Sequence, residues 1–258
     1  MKRLLCPEVP RPGRKIPLNE TEAVHATRVL RLSDGDLIEA LDGSGKSVVA
    51  RLRTRSGSVW LEYESEGALA SDEKHLPSTV LEMAVLKGDA MEWVVEKAVE
   101  LGITTLIPVL TAHTVVQMKQ KGPEVFQERW QKIADQALKQ CGRLNRMQIH
   151  LPVPLADLFL KYPARPETVR LWCDEASREN AAPLLKILLE PDLLKKEVRV
   201  LIGPEGGWSQ NEREFLTTAH LKEASLGPLV LRAETAAIYC ISLIFGAFHS
   251  SSPSHRNA

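Results

Sequence analysis

The chain has 258 residues, 44% of them hydrophobic and 26% charged, with equal numbers of basic and acidic side chains. This profile fits a folded globular chain with room for two domains, and it excludes the disordered and fibrous classes. The four cysteines, Cys6, Cys141, Cys173 and Cys240, are scattered and form no C-x-x-C pair. No metal site or disulfide framework is therefore expected, and a reducing, cytoplasmic setting fits. No apolar run approaches the roughly eighteen residues of a membrane span. The apolar stretch near the N-terminus is too short for a signal sequence.

The zero net charge hides an uneven distribution. Residues 1–55 carry 11 Lys and Arg against 7 Asp and Glu, and residues 119–146 carry 7 against 3. Basic faces of this kind suit phosphate binding, although solvated surfaces account for them equally well.

Residues 1–70 read as a small β-barrel. Strands over 36–41 and 47–52 flank the turn Asp42-Gly43-Ser44-Gly45-Lys46, and Val59–Tyr63 is a third. The turn resembles the end of a phosphate-binding loop. A β-like run rather than a helix follows Lys46, so a hairpin is expected. The polar stretch from Ser65 to Ser78 reads as a linker, with 71–78 separating the barrel from a second domain over 79–250 and a tail at 251–258.

From Thr79 the pattern alternates. Strands are expected at 79–86, 104–109, 168–172 and 198–202. Helices are expected at 89–101, with Asp89 as N-cap, and at 124–141, 179–189, 210–219 and 234–248. Alternation of this kind makes an α/β domain with a mainly parallel sheet, whose ligands sit at the carboxyl ends of the strands. Trp93 and Trp130 fall at helical apolar positions and read as core or interface. Cys141 reads as a small packed side chain, and His25 and His113 as surface or hydrogen-bonded residues.

Two glycine-bearing turns stand out, Gly203-Pro204-Glu205-Gly206-Gly207 and Leu226-Gly227-Pro228. Each follows an apolar or β-prone run and precedes a helical segment. Glycine lets a backbone approach a ligand closely, so two such turns read as the walls of one small-molecule site. After the second turn the trio Arg232, Glu234 and Thr235 opens an apolar helix. Capping explains Glu234 and Thr235. Arg232 follows an apolar run, where a buried Arg needs an anionic or carbonyl partner.

The segments 201–207 and 226–236 resemble the ribosomal RNA small-subunit methyltransferase E family, one of the knotted SPOUT methyltransferases. The resemblance extends to His25–Arg31, Leu41–Gly45, Lys87-Gly88 with Met91-Glu92, Glu96–Gly102, Arg129–Ile133 and Gln140–Arg143. The chain departs from the family pattern at Leu229 and His113, where Arg is usual, and at Met147, where Pro is common. The resemblance implies a PUA-like N-terminal barrel, a C-terminal α/β domain with a trefoil knot, and a homodimer. It also implies S-adenosylmethionine as cofactor and N3 of a uridine in the decoding region of 16S rRNA, within the small ribosomal subunit, as substrate. On this reading Leu201, Ile202, Gly203, Pro204, Glu205, Gly207, Leu226, Gly227, Leu231, Arg232 and Thr235 bind the cofactor. Arg232 stabilises charge on the uracil oxygens, Glu205 or Glu234 accepts the proton, and Arg28, Arg31, Lys87, Arg143 and Arg146 meet RNA. A non-catalytic RNA-binding protein and a 2′-O-ribose methyltransferase are the alternatives.

Overall fold

The structure, a computed structural model, describes residues 1–67, 78–116, 122–177, 179–190, 193, 196–219 and 221–251. The chain divides into two compact units, Met1–Lys74 with Asp135–Arg146, and His75–Ala134 with Met147–Ala258. The expected linker lies outside the described residues from 68 to 77, and so does the tail from 252 onward.

The first unit contains β1 (Lys2–Leu5), β2 (Lys15–Pro17), a short α1 (Glu20–Val24) that continues as a π-helical turn (His25–Val29), β3 (Leu37–Leu41), β4 (Ser47–Arg55) and β5 (Ser58–Glu66). The strands order as β1-β3-β4-β5-β2, with β1 parallel to β3 and the other pairs antiparallel. Ser65 and Glu66 thus belong to a strand and not to the linker. Strand β4 directly follows Lys46, which rules out a phosphate-binding loop there. Ile38 and Ala40 alternate inward with Val48, Ala50 and Leu52, and Leu61 completes their core.

Residues 135–146 join this unit through Arg3, a half-buried cation. Its guanidinium pairs with Glu39 at 2.9 Å and donates to the carbonyls of Leu138 at 2.9 Å and Arg143 at 3.0 Å. Helix-end carbonyls lack internal partners, and a cation satisfies them. Much of the basic surplus is used in the same way. Arg14 pairs with Glu8, Arg51 with Glu64, Arg53 and Lys15 with Glu62, and Arg146 with Asp135.

The second unit holds β6 (Thr79–Ala84), α2 (Asp89–Glu100), β7 (Thr105–Leu110), the start of α3 (Pro123–Cys141), β8 (Gln148–Ile149), β9 (Val153–Pro154), α4 (Leu155–Lys161), β10 (Thr168–Cys173), β11 (Ala182–Pro183), α5 (Leu184–Leu188), β12 (Glu197–Ile202), α6 (Gln210–Thr218), β13 (Lys222–Ser225) and α7 (Ala233–Ser251). Its sheet is parallel throughout and ordered β11-β13-β10-β12-β6-β7-β8, with β9 also on β7. Every residue of β6 is buried, as a central strand covered on both faces requires.

Several expectations are corrected here. The N-cap of α2 is Gly88, and Asp89 is the first helical residue. The helix expected over 179–189 is confined to Leu184–Leu188, because Pro183 occupies its N-cap position and proline does not continue a helix from its N-terminal side. Trp130 is buried in the core, and Trp93, at 49% exposure, leaves the interface half of the expected core-or-interface role open. Cys141 is exposed rather than packed. Residues 233–250 do form a helix long and apolar enough for a membrane span. Its apolar character serves packing, since Ala237, Cys240, Ile241 and Ile244 are buried and the helix contacts α2, α5 and β12.

A buried ionic cluster lies within this sheet. Glu82 of β6 is fully buried and receives Arg170 of β10 at 2.8 Å, with Arg199 of β12 at 3.9 Å. The Tyr162 carbonyl accepts from both arginines, at 2.6 and 2.9 Å. Burial pushes the Glu82 carboxyl up, against the pull of the two guanidinium groups. Removing Glu82 would leave two buried cations facing each other, a loss of about 3–5 kcal/mol.

Candidate functional site

Beyond the C-terminal ends of β10, β12 and β13 the second unit opens a cavity of about 590 Å³. Its size and place are those of a small-molecule site in an open parallel sheet. The turn after β12 forms one wall, and the loop after β13 with the first turn of α7 forms a second. Cys173, Asp174 and Glu175 after β10 form a third, and Ala90 of α2 also contributes.

Ten of the expected site residues line this cavity: Ile202, Gly203, Pro204, Glu205, Gly207, Leu226, Gly227, Leu231, Arg232 and Glu234. Leu201 does not, because strand alternation turns it into the core with Val80 and Trp172. Thr235 is exposed and lies outside the lining. The apolar run 229–231 is an exposed loop, with Leu229 at 74% and Val230 at 66% exposure. Arg232 is exposed accordingly, so the expectation of a buried arginine is corrected. Its side chain has no hydrogen bond or ion pair among the described residues.

The glycines of the first turn have specific steric reasons. A Cβ on Gly203 would lie 3.0 Å from two ring atoms of Trp208. That indole is fixed beneath the turn by its Nε1, which donates to the Cys173 carbonyl at 2.9 Å, and by edge contact with Trp172. Gly207 has φ +67°, a left-handed conformation that favours glycine, and a Cβ there would displace the Glu175 carboxylate. Glu205 is exposed, and its Oε1 accepts the Lys87 backbone N–H at 3.0 Å.

The third wall, which the sequence reading missed, is acidic. Asp174 is buried and takes two bonds from Arg213, at 2.6 and 3.1 Å, and Arg213 also reaches Glu175 at 3.1 Å. Burial raises the Asp174 carboxyl, but the bonds from Arg213 and the Ala176 N–H outweigh it and hold the group below its ordinary value. Burial raises the Glu175 carboxyl, and the adjacent Asp174 reinforces the rise. Two carboxyls share the single cation of Arg213, so this wall keeps an acidic balance toward the cavity. The signal available in the sequence was positional, a Cys-Asp-Glu run ending an expected strand.

The expected RNA-contacting residues divide into two groups. Arg28, Arg31 and Lys87 are exposed, and the two arginines have no ion pair among the described residues. Arg143 is buried at 9% exposure, which withdraws it from a polyanion. Arg146 is held by both oxygens of Asp135, at 2.7 and 2.6 Å, so its charge is already matched.

Residues 72–245 match the RNA methyltransferase domain family. The chain is 31% identical over 230 residues to ribosomal RNA small subunit methyltransferase E of Synechocystis sp., covering 89% of this chain and 72% of that relative. It is 28% identical over 228 residues to the protein of the same name from Bacillus subtilis, covering 86% of each. Among solved structures, the Neisseria gonorrhoeae ribosomal RNA small subunit methyltransferase E bound to S-adenosyl methionine superposes with a TM-score of 0.82 at 26% identity, covering 94% of this chain and 96% of that one.

Proposed function

Because the chain belongs to the ribosomal RNA small subunit methyltransferase E family, we propose that it methylates N3 of a uridine in the decoding region of 16S rRNA, within the small ribosomal subunit. The observation that carries this reading is the cavity itself. The glycine turn after β12, the loop after β13 and one acidic wall enclose a space that ends at an exposed arginine with no ion pair among the described residues.

The donor set fits S-adenosylmethionine, a cation with apolar, sugar and amino-acid parts. Ile202, Leu226 and Leu231 offer apolar surface, the backbone at Gly203, Gly207 and Gly227 is open to close approach, and Glu175 supplies negative charge. The cofactor supplies an electrophilic methyl group. The protein holds the uracil in line with it, and positioning provides much of the rate. Loss of the N3 proton leaves negative charge on O2 and O4, and Arg232 stabilises that charge. Glu234 lines the cavity beside Arg232 and is half-buried, so it is better placed than the exposed, backbone-bound Glu205 to accept the proton.

N3 is occupied in a base pair, so the uridine is unpaired or flipped out. Arg28 and Arg31 meet RNA phosphates on this reading, which makes affinity salt-dependent. The first unit corresponds to the family's PUA-like barrel. In the second, β13 lies between the earlier strands β10 and β11 before α7 returns to α2, an insertion that supports a knotted C-terminus. The exposed apolar side chains of Trp93, Tyr239, Leu229 and Val230 support a homodimer. Sedimentation equilibrium is expected to give twice the chain mass, and a monomer at micromolar concentration would remove that part of the reading.

Nucleoside mass spectrometry after incubation with small subunits lacking the modification tests the function. The expected product is N3-methyluridine. A 2′-O-methylated nucleoside would assign ribose methylation instead. Absence of any methylated product, with RNA binding retained, would leave a non-catalytic RNA-binding protein.

A further inference from the structure

We propose that His113 is a positioning residue of the cofactor cavity, whose imidazole holds the Gly206-Gly207 turn in the shape that admits the ligand. The inference rests on the cofactor named under Proposed function. It concerns a residue outside the cavity lining.

His113 stands in a tight turn after β7. Thr114 N–H donates to the Thr111 carbonyl at 3.1 Å, and Thr111 N–H donates to Thr114 Oγ1 at 3.0 Å. The same turn is tied to the start of α6. Glu212 Oε1 accepts the Ala112 N–H at 2.8 Å, while its Oε2 accepts the Ser209 N–H at 2.9 Å. His113 Nδ1 then reaches the Gly207 carbonyl at 2.9 Å. A carbonyl only accepts, so Nδ1 carries the proton in this bond.

The contact links two loops whose strands are not neighbours, since β6 separates β7 from β12. The loop after β6 adds its own tie, Lys87 N–H to Glu205. The glycine turn is therefore tied to two separate loops, those after β6 and β7. A Cβ on Gly206 would lie 3.1 Å from His113 Cβ, which shows how closely the histidine lies on the turn. The bond to its carbonyl orients the peptide that follows Gly207. That residue's left-handed φ of +67° belongs to the arrangement in which Glu175 lies immediately beside it.

His113→Gln keeps an N–H donor, and His113→Leu removes it. Residue 113 is exposed, so both variants are expected to fold. Amide hydrogen exchange on the ligand-free protein is expected to rise over residues 203–208 in the Leu variant and to stay near wild type in the Gln variant. In calorimetry the Leu variant is expected to lose about tenfold in S-adenosylmethionine affinity, the equivalent of one hydrogen bond, and the Gln variant less than about threefold. Unchanged exchange in His113→Leu, or equal losses in both variants, would overturn the proposal. Failure of the wild-type protein to bind S-adenosylmethionine would instead overturn the cofactor assignment, and the exchange measurement would still decide the role of His113.

Discussion

Gly203→Val is expected to lower S-adenosylmethionine affinity by about 10- to 100-fold while the chain stays folded. The first carbon of the new side chain falls 3.0 Å from Trp208 Cε2 and Nε1, and valine adds two more. Relief requires one of two movements. The indole gives up its 2.9 Å bond to the Cys173 carbonyl and its contact with Trp172, or the backbone at 203 moves into the cavity. Cys173 and Trp208 line the same cavity, so either movement deforms it. Overpacking of this kind costs about 1–3 kcal/mol. That is a minor share of the roughly 5–15 kcal/mol of a folded domain, but it is a large share of a ligand's binding energy. Calorimetry with a thermal unfolding control separates the two effects. Wild-type affinity in a folded variant would mean that the first glycine turn is not a wall of the cofactor site.

The alternation of strands and helices was legible because a parallel sheet covered on both faces leaves a repeated local pattern. The two glycine turns were legible as one site because strand ends converge on one edge of such a sheet. The third wall was not, because Asp174 and Glu175 carry no local mark. Their significance comes from Arg213, 39 residues further along the chain from Asp174. Pairing through space also explains the overestimated basic face. Arg51 and Glu64 are 13 residues apart, and Arg3 reaches carbonyls 135 and 140 residues away. No composition window registers such partners. The last helix was underestimated because its apolar residues are interrupted by Ser, Thr and Gly, so no unbroken apolar run marks it, although Ala237, Cys240, Ile241 and Ile244 are buried. The role of Arg232 changed most. Its apolar predecessors suggested burial, and the structure exposes them together with the guanidinium.

That exposure gives Arg232→Ala a distinctive expected outcome. A side chain without polar partners among the described residues contributes little to folding, so the unfolding midpoint should stay within the small range of ordinary surface substitutions, about 0.5 kcal/mol. A cation kept unpaired at the edge of a ligand cavity is available for charge that arrives with the substrate. Loss of one preorganised electrostatic contact to a developing anion costs about 10²–10³ in turnover. The effect should fall on kcat with saturating cofactor, because the anion exists only as the N3 proton leaves. Arg232→Lys restores a charge but not the planar pair of donors, so it should recover part of the rate. Single-turnover methylation of small subunits, read by mass spectrometry, checks all three proteins. Wild-type turnover in the alanine variant would remove Arg232 from the reaction. A fall matched by the same loss of S-adenosylmethionine affinity would make it a cofactor ligand instead, since only a contact formed with the developing charge lowers turnover while leaving ground-state binding intact.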